Sequence, residues 1–256
     1  EVLAIWSAQR AGADPFRMLA LLALVTAVLS AMLDNVTTVL LMAPVTLSIA
    51  KRLRLDPVPF LIVEAIASNI GGTATLVGDP PNIMIASKAQ LGYLQFLIVL
   101  GPVVVGIMAV FLVGLRLLYG GSLQVAPHLK EAVLGLAPRD AVQDPLLLRR
   151  CVWLLGLVNL AFGLHGVLHL EPATIALAGA SAFMLIGRAN RKHNSDELSY
   201  LADVEWKTIF FFIGLFILVG ALVKVGVIGM LATQLLSVTQ GHPAAAVFSI
   251  LWGSAL

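Results

Sequence analysis

The chain has 256 residues, 59% of them hydrophobic and only 12% charged, with a formal net charge of +2. Soluble domains carry roughly 25% charged and roughly 45–50% apolar residues, so a water-soluble globule is excluded and the solvent must be lipid. A charge this small, with Lys and Arg set between apolar runs instead of clustered among polar residues, excludes a nucleic-acid partner.

The chain begins at Glu1 and stops at Leu256 inside an apolar run, with no signal-peptide pattern, so an internal fragment of a longer protein is expected. The first informative region is Phe16–Ala50. An apolar arm, Phe16–Leu33, meets the polar cluster Asp34-Asn35-Val36-Thr37-Thr38, and a second arm follows, Val39–Ala50. That second arm has about 12 residues, too few to cross a bilayer at 1.5 Å per residue. The pattern predicts a re-entrant helical hairpin that enters and leaves on one side with its polar tip near mid-membrane.

The second region is Val58–Ser87. Its apolar arm carries Glu64 and runs into Ser68-Asn69-Ile70-Gly71-Gly72-Thr73-Ala74-Thr75, then Gly78-Asp79-Pro80-Pro81-Asn82 and a second arm from Ile83. Paired glycines and paired prolines cannot continue a regular helix, which predicts a broken one. Ordinary apolar runs follow at Leu94–Tyr119, Cys151–Leu168, Pro172–Gly187 and Thr208–Val223, with a last run from Ala244. Cys151, the single cysteine, permits neither an internal disulfide nor a cysteine metal cluster and reads as a small buried residue.

Basic residues orient these elements. With the hairpin ends in the cytoplasm, only Lys88 and Lys224 fall outside, a strong positive-inside bias. The loop Gly120–Arg150 is then cytoplasmic, Gly226–Pro243 is external, and the run from Ala244 enters from the face opposite the first hairpin. Oppositely entering hairpins with midplane breaks are the usual build of secondary transporters. The expected architecture is an all-α polytopic membrane protein with inverted repeats. Residues 1–119 would form the first-repeat transport core (hairpin 16–50, broken helix 58–90, span 94–119). Residues 120–150 would be the cytoplasmic loop, and 151–256 the start of a second repeat that stops before its own tip.

Backbone deep in hydrocarbon must be hydrogen-bonded, so an unwound stretch there survives only inside protein or along a wet cavity. Freed carbonyls can coordinate a cation, and N–H groups at a helix start can hold an anion. Asn35, Thr37, Thr38, Ser68, Asn69, Thr73, Thr75 and Asn82 add neutral oxygens, hard donors suited to an alkali cation or an oxyanion. Asp34 and Asp79 add two charges, each costing roughly 2.5–3.5 kcal/mol at mid-bilayer.

Blander roles stand beside these. Asp34 can simply cap the helix from Asn35, and Asp79-Pro80-Pro81-Asn82 can be a surface turn. Asn35-Val36-Thr37 matches a glycosylation sequon, but between two apolar arms that reading is discounted. Glu64 reads as a packing carboxylate more readily than as a ligand. His165, His169 and His242 read as interfacial, and two histidines alone make a weak metal signal.

The motifs Leu33-Asp34-Asn35-Val36-Thr37-Thr38, Asn69-Ile70-Gly71-Gly72-Thr73-Ala74-Thr75 and Gly78-Asp79-Pro80-Pro81-Asn82 together resemble the ArsB/NhaD superfamily of ion transporters. Within it they are most similar to the branch of the melanosomal P protein and of bacterial arsenical-pump and citrate-transporter-like permeases. The resemblance implies an elevator-type carrier of two inverted repeats, in which a hairpin tip and a helix break of each repeat together bind substrate and coupling ion. It places Asn35, Thr37 and Thr38 at the first tip, and Ser68, Asn69, Gly71, Gly72, Thr73, Thr75 and Asp79 to Asn82 at the first break. A Na+ would sit at Asn35, Thr38, Asn69 and Thr73. It further suggests a homodimer.

The expected activity is secondary transport, by alternating access, of an ion or small anion of arsenite/antimonite, Na+/H+ or carboxylate type in a bacterial inner membrane. The expected coupling ion is Na+ or H+, and no other cofactor is implied. No Gly-rich nucleotide-binding loop occurs, which leaves a separate ATPase partner open. The alternatives are a channel or non-transporting scaffold and, remotely, an intramembrane aspartyl protease using Asp34 and Asp79.

Overall fold

The computed structural model describes residues 9–12, 14–121, 125, 144–168, 170–190, 204, 206–239 and 242–253. The predicted loop 120–150 lies mostly outside them, as does His169. Every regular element among the described residues is an α-helix. Two compact units are present, Glu1–Arg191 and Lys192–Leu256.

In the first unit, Asp14 starts α1 (Pro15–Met32): its carboxylate accepts the Arg17 N–H at 2.8 Å, and Pro15 spends no N–H at the first helical position. Leu33 and Asp34 are extended, and α2 runs Asn35–Leu53 to a left-handed cap at Arg54. Lys51 and Arg52 lie in its last turn, where the helix dipole favours positive charge. Next come α3 (Val58–Gly72), α4 (Pro80–Ala89) and α5 (Tyr93–Tyr119). The span predicted as Leu94–Tyr119 is α5; its 27 residues reach about 40 Å. The antiparallel pair α6 (Pro145–Leu168) and α7 (Pro172–Asn190) completes the unit.

One expectation is corrected here. The second hairpin arm is 19 residues long, about 28 Å, because Asp34 caps it at once and Asn35, Thr37 and Thr38 are themselves helical. By length and composition both α1 and α2 could cross a membrane. Arm length therefore gives no argument for re-entry.

How α1, α2 and α3 pack follows from register. Ala27 meets Gly71 and Ala31 meets Thr75, the same offset, so α1 and α3 run in one direction. Asn35 meets Asn69 and Thr46 meets Glu64, so α2 runs against α3. The arms are thus antiparallel, and α3 is wedged between them, making most of the contact that two touching arms would otherwise make. Met18, Leu19, Leu22, Met42, Val45, Ile49, Phe60, Val63 and Ala67 fill this core, with Met108 and Leu115 of α5 against it. A second apolar cluster joins Leu76 and Ala86 to Tyr93 and Phe96 of α5, Phe162 of α6 and Ile175 of α7. Outward faces are apolar as well: Val110, Leu117, Trp153 and Val167 are each more than 70% exposed, as lipid-facing side chains should be.

The second unit holds α8 (Trp206–Lys224), α9 (Val227–Val238) and α10 (Pro243–Gly253). The sequence reading took Gly226–Pro243 as a plain external connection; most of it is α9, opened by Gly226 in a left-handed conformation.

Candidate functional site at a hairpin tip and a helix break

The tip between α1 and α2 and the break between α3 and α4 lie at one level. The link is direct: Asn35 Nδ2 donates to Asn69 Oδ1 at 3.0 Å. Small residues allow the approach. A Cβ at Gly71 would stand 2.1 Å from the Ala27 carbonyl oxygen, and one at Gly72 would stand 2.6 Å from the Gly78 oxygen. A Cβ at Gly78 would in turn meet the Gly72 oxygen at 2.4 Å. Gly71 and Gly72 are helical and have no positive φ. They were expected to break the helix; instead they complete it and let backbone touch backbone, and the helix ends only at Thr73.

The unwound stretch Thr73–Asp79 is laced by side chains. Thr75 Oγ1 donates to the Ala31 carbonyl at 2.6 Å and accepts the Gly78 N–H at 3.1 Å. Asn82 Nδ2 donates to the carbonyls of Gly72 (3.1 Å) and Thr75 (2.8 Å). Ser30 Oγ donates to the Ser68 carbonyl at 2.7 Å, and Ser68 Oγ to Ala65 at 2.9 Å. Thr75, Asn82 and Ser68 are buried. Thr75 and Asn82 hold the break together, each by two hydrogen bonds.

Asp34 has the capping role weighed above: one oxygen accepts the Thr37 N–H at 2.9 Å and the other the Thr37 hydroxyl. Asp79 precedes α4 without capping it by its side chain. Pro80 and Pro81 remove the first two N–H groups of α4, and Asn82 N donates to the Asp79 carbonyl at 3.0 Å. The anion seat expected at this helix start is therefore depleted of donors.

Asn69 and Thr73 are exposed at this level, and Asn35 is half-buried, as are Asp34, Thr37 and Asp79. The Thr73 hydroxyl donates to the Asn69 carbonyl at 2.8 Å and keeps its lone pairs for a ligand. Thr38, grouped with Asn35, Asn69 and Thr73 as a Na+ ligand, is fully buried and its hydroxyl has no partner. The remaining surroundings carry Asp34 and Asp79 and no Lys or Arg between Pro15 and Ala50 except Arg17, at the far end of α1. Among the described residues no group of three or more His, Cys, Asp or Glu gathers for a metal.

His165 is half-buried near one end of its helix. It lies in α6, and its Nε2 accepts the Tyr93 N–H at 3.0 Å, with Phe162 stacked on Tyr93 one turn away.

Apolar helices and a polar break laced shut by its own side chains define a polytopic integral membrane protein. The family model for citrate transporters (CitMHS) matches residues 1–256, and the chain belongs to that family. It is 48% identical over 255 residues to an uncharacterized transporter of Mycobacterium tuberculosis, covering 100% of this chain and 58% of the relative. It is 31% identical over 242 residues to the magnetosome protein MamN of Paramagnetospirillum magneticum, covering 93% and 53% respectively. It is 30% identical over 315 residues to the human P protein, covering 93% and 37%. The chain thus spans between 37% and 58% of the length of these relatives.

Proposed function

We propose that the full-length protein is a secondary transporter of a small ion, working by alternating access, and that α1–α4 supply one half of its binding site. The observation that carries this is the Asn35–Asn69 hydrogen bond, which fastens the start of α2 at the hairpin tip to the last turn of α3, just before its helix breaks among apolar neighbours. Unwound backbone at membrane depth is costly unless it serves a wet, ion-handling site. The half-site is rich in oxygen and poor in free donors, which suits a cation: Na+ at Asn35, Asn69 and Thr73, with Thr38 behind them. A carboxylate substrate, the cargo for which the family is named, would pair with that cation. Trivalent arsenic would want thiolates, and Cys151 on α6 is the only one in the chain. The setting is a bacterial inner membrane, the assembly a homodimer, and the driving force an ion gradient without nucleotide.

The test is transport by the full-length protein in proteoliposomes, with citrate, arsenite and Na+ as probes. Asn69→Ala and Asn35→Ala, both at the open face, should fold normally and lose transport. Folded variants that carry the probes at the parental rate would sink the assignment, and single-channel currents without saturation would replace the carrier by a channel.

A further inference from the structure

Glu64 is 1% exposed at the centre of the α1–α2–α3 core, five residues before Asn69, about 7.5 Å along the axis of α3. One carboxyl oxygen is hydrogen-bonded to the Thr46 hydroxyl of α2; the other is buried without a partner. The charged and titratable side chains on the helices packed against α3, caps included, are Asp14, Arg17, Asp34, Lys51, Arg52, Arg54, Tyr93, Arg116 and Tyr119. None of them bonds to Glu64. Arg17, Lys51, Arg52 and Arg116 are exposed, and Asp14 and Asp34 are engaged as caps.

The surroundings repeat the theme. Among the described residues, the buried side-chain atoms that lack a partner are Thr26 Oγ1, Thr38 Oγ1 and Glu64 Oε2, one each on α1, α2 and α3. Leaving a buried polar atom unsatisfied costs about 1–3 kcal/mol, and a bare buried carboxylate more. All three belong to the same three-helix core, where Ser30, Thr46 and Ser68 are buried polar residues as well. A packing role would favour Gln or Leu at position 64, which fill the space without an ionisable group.

We propose that Glu64 is the proton-carrying site of the transport cycle. It takes one proton from water on one side of the membrane as a carboxylate and gives it up on the other. The Thr46 hydroxyl donates to the charged form and turns to accept from the neutral one. This deepens the transporter reading and rests on it: Asn35 and Asn69 hold the cation that pairs with the cargo, and Glu64 couples their movement to protons.

The experiment has two arms, both on the full-length protein in proteoliposomes. Infrared difference spectra recorded across a pH series follow the protonated-carboxyl stretch. A band that disappears as the pH rises, and is missing in Glu64→Gln, is expected; parent and variant spectra that coincide throughout overturn the proposal. Because Glu64→Gln could fail to fold, Thr46→Val is measured beside it: the band should move in frequency once its hydrogen bond is gone, and an unmoved band overturns the proposal too. In the transport arm, with labelled citrate as probe, Glu64→Gln should keep citrate–citrate exchange and lose accumulation driven by a pH gradient. Accumulation equal to the parent's overturns the proposal. A parent that moves no citrate fails the substrate reading alone, since the spectra still decide Glu64.

Discussion

Asn82 shows how one side chain can close a gap in a helix. Its amide gives two hydrogens to the carbonyls of Gly72 and Thr75, which no helical N–H can reach. Asn82→Ala should cost about 1–3 kcal/mol for each carbonyl it strands, read as a lower thermal midpoint of the purified full-length protein. Gly71→Ala should be worse, because backbone cannot move aside as a side chain can. Gly114→Ala, where nothing lies within 4 Å, is the control and should leave the midpoint unchanged or raise it. Sequence showed that positions 68–82 are special but gave the wrong reason for the glycines. Close approach is a property of the neighbour, here Ala27, and a neighbour 44 residues away leaves no mark in local pattern. The same blindness hid the bonds that Thr75 and Asn82, read as ligands, make across the break.

At the level of elements, the apolar runs located the helices well, since a lipid solvent makes length and hydropathy nearly sufficient. Two elements were misjudged. Asn35 to Thr38 were read as the polar tip, which cut α2 short, and α9 was placed in an external connection by the count of crossings. Helix starts accept polar residues readily, so polarity alone misplaces them. The α5–α6 contact through His165 was invisible for another reason, the 72-residue separation of its partners. His165→Leu should strand the Tyr93 N–H and lower stability by about 1 kcal/mol, whereas His165→Gln, which keeps an acceptor, should lose less. Unfolding midpoints of the two variants side by side decide this.

For the molecule as a whole, the wedge of α3 between α1 and α2 makes hairpin and broken helix one body. The contacts of Gly71, Gly72 and Gly78 leave no room for sliding. Spin labels at the exposed positions Leu40 on α2 and Ile62 on α3 should therefore give the same distance distribution with and without Na+ and citrate. A shift on adding either would mean that the hairpin opens by itself. The lipid-facing class, the two polar motifs and the family resemblance were legible in the chain; the wedge was not, because parallel and antiparallel packing leave the same hydrophobic pattern.

One consequence concerns electrostatics. The chain's first four helices bring four termini to a common depth: the carboxyl ends of α1 and α3, and the amino ends of α2 and α4. Each end acts as roughly half an elementary charge, negative for the former pair and positive for the latter. Their sum is nil, so the formal charge at this depth is left to the two carboxyl side chains that open the amino ends, Asp34 and Asp79.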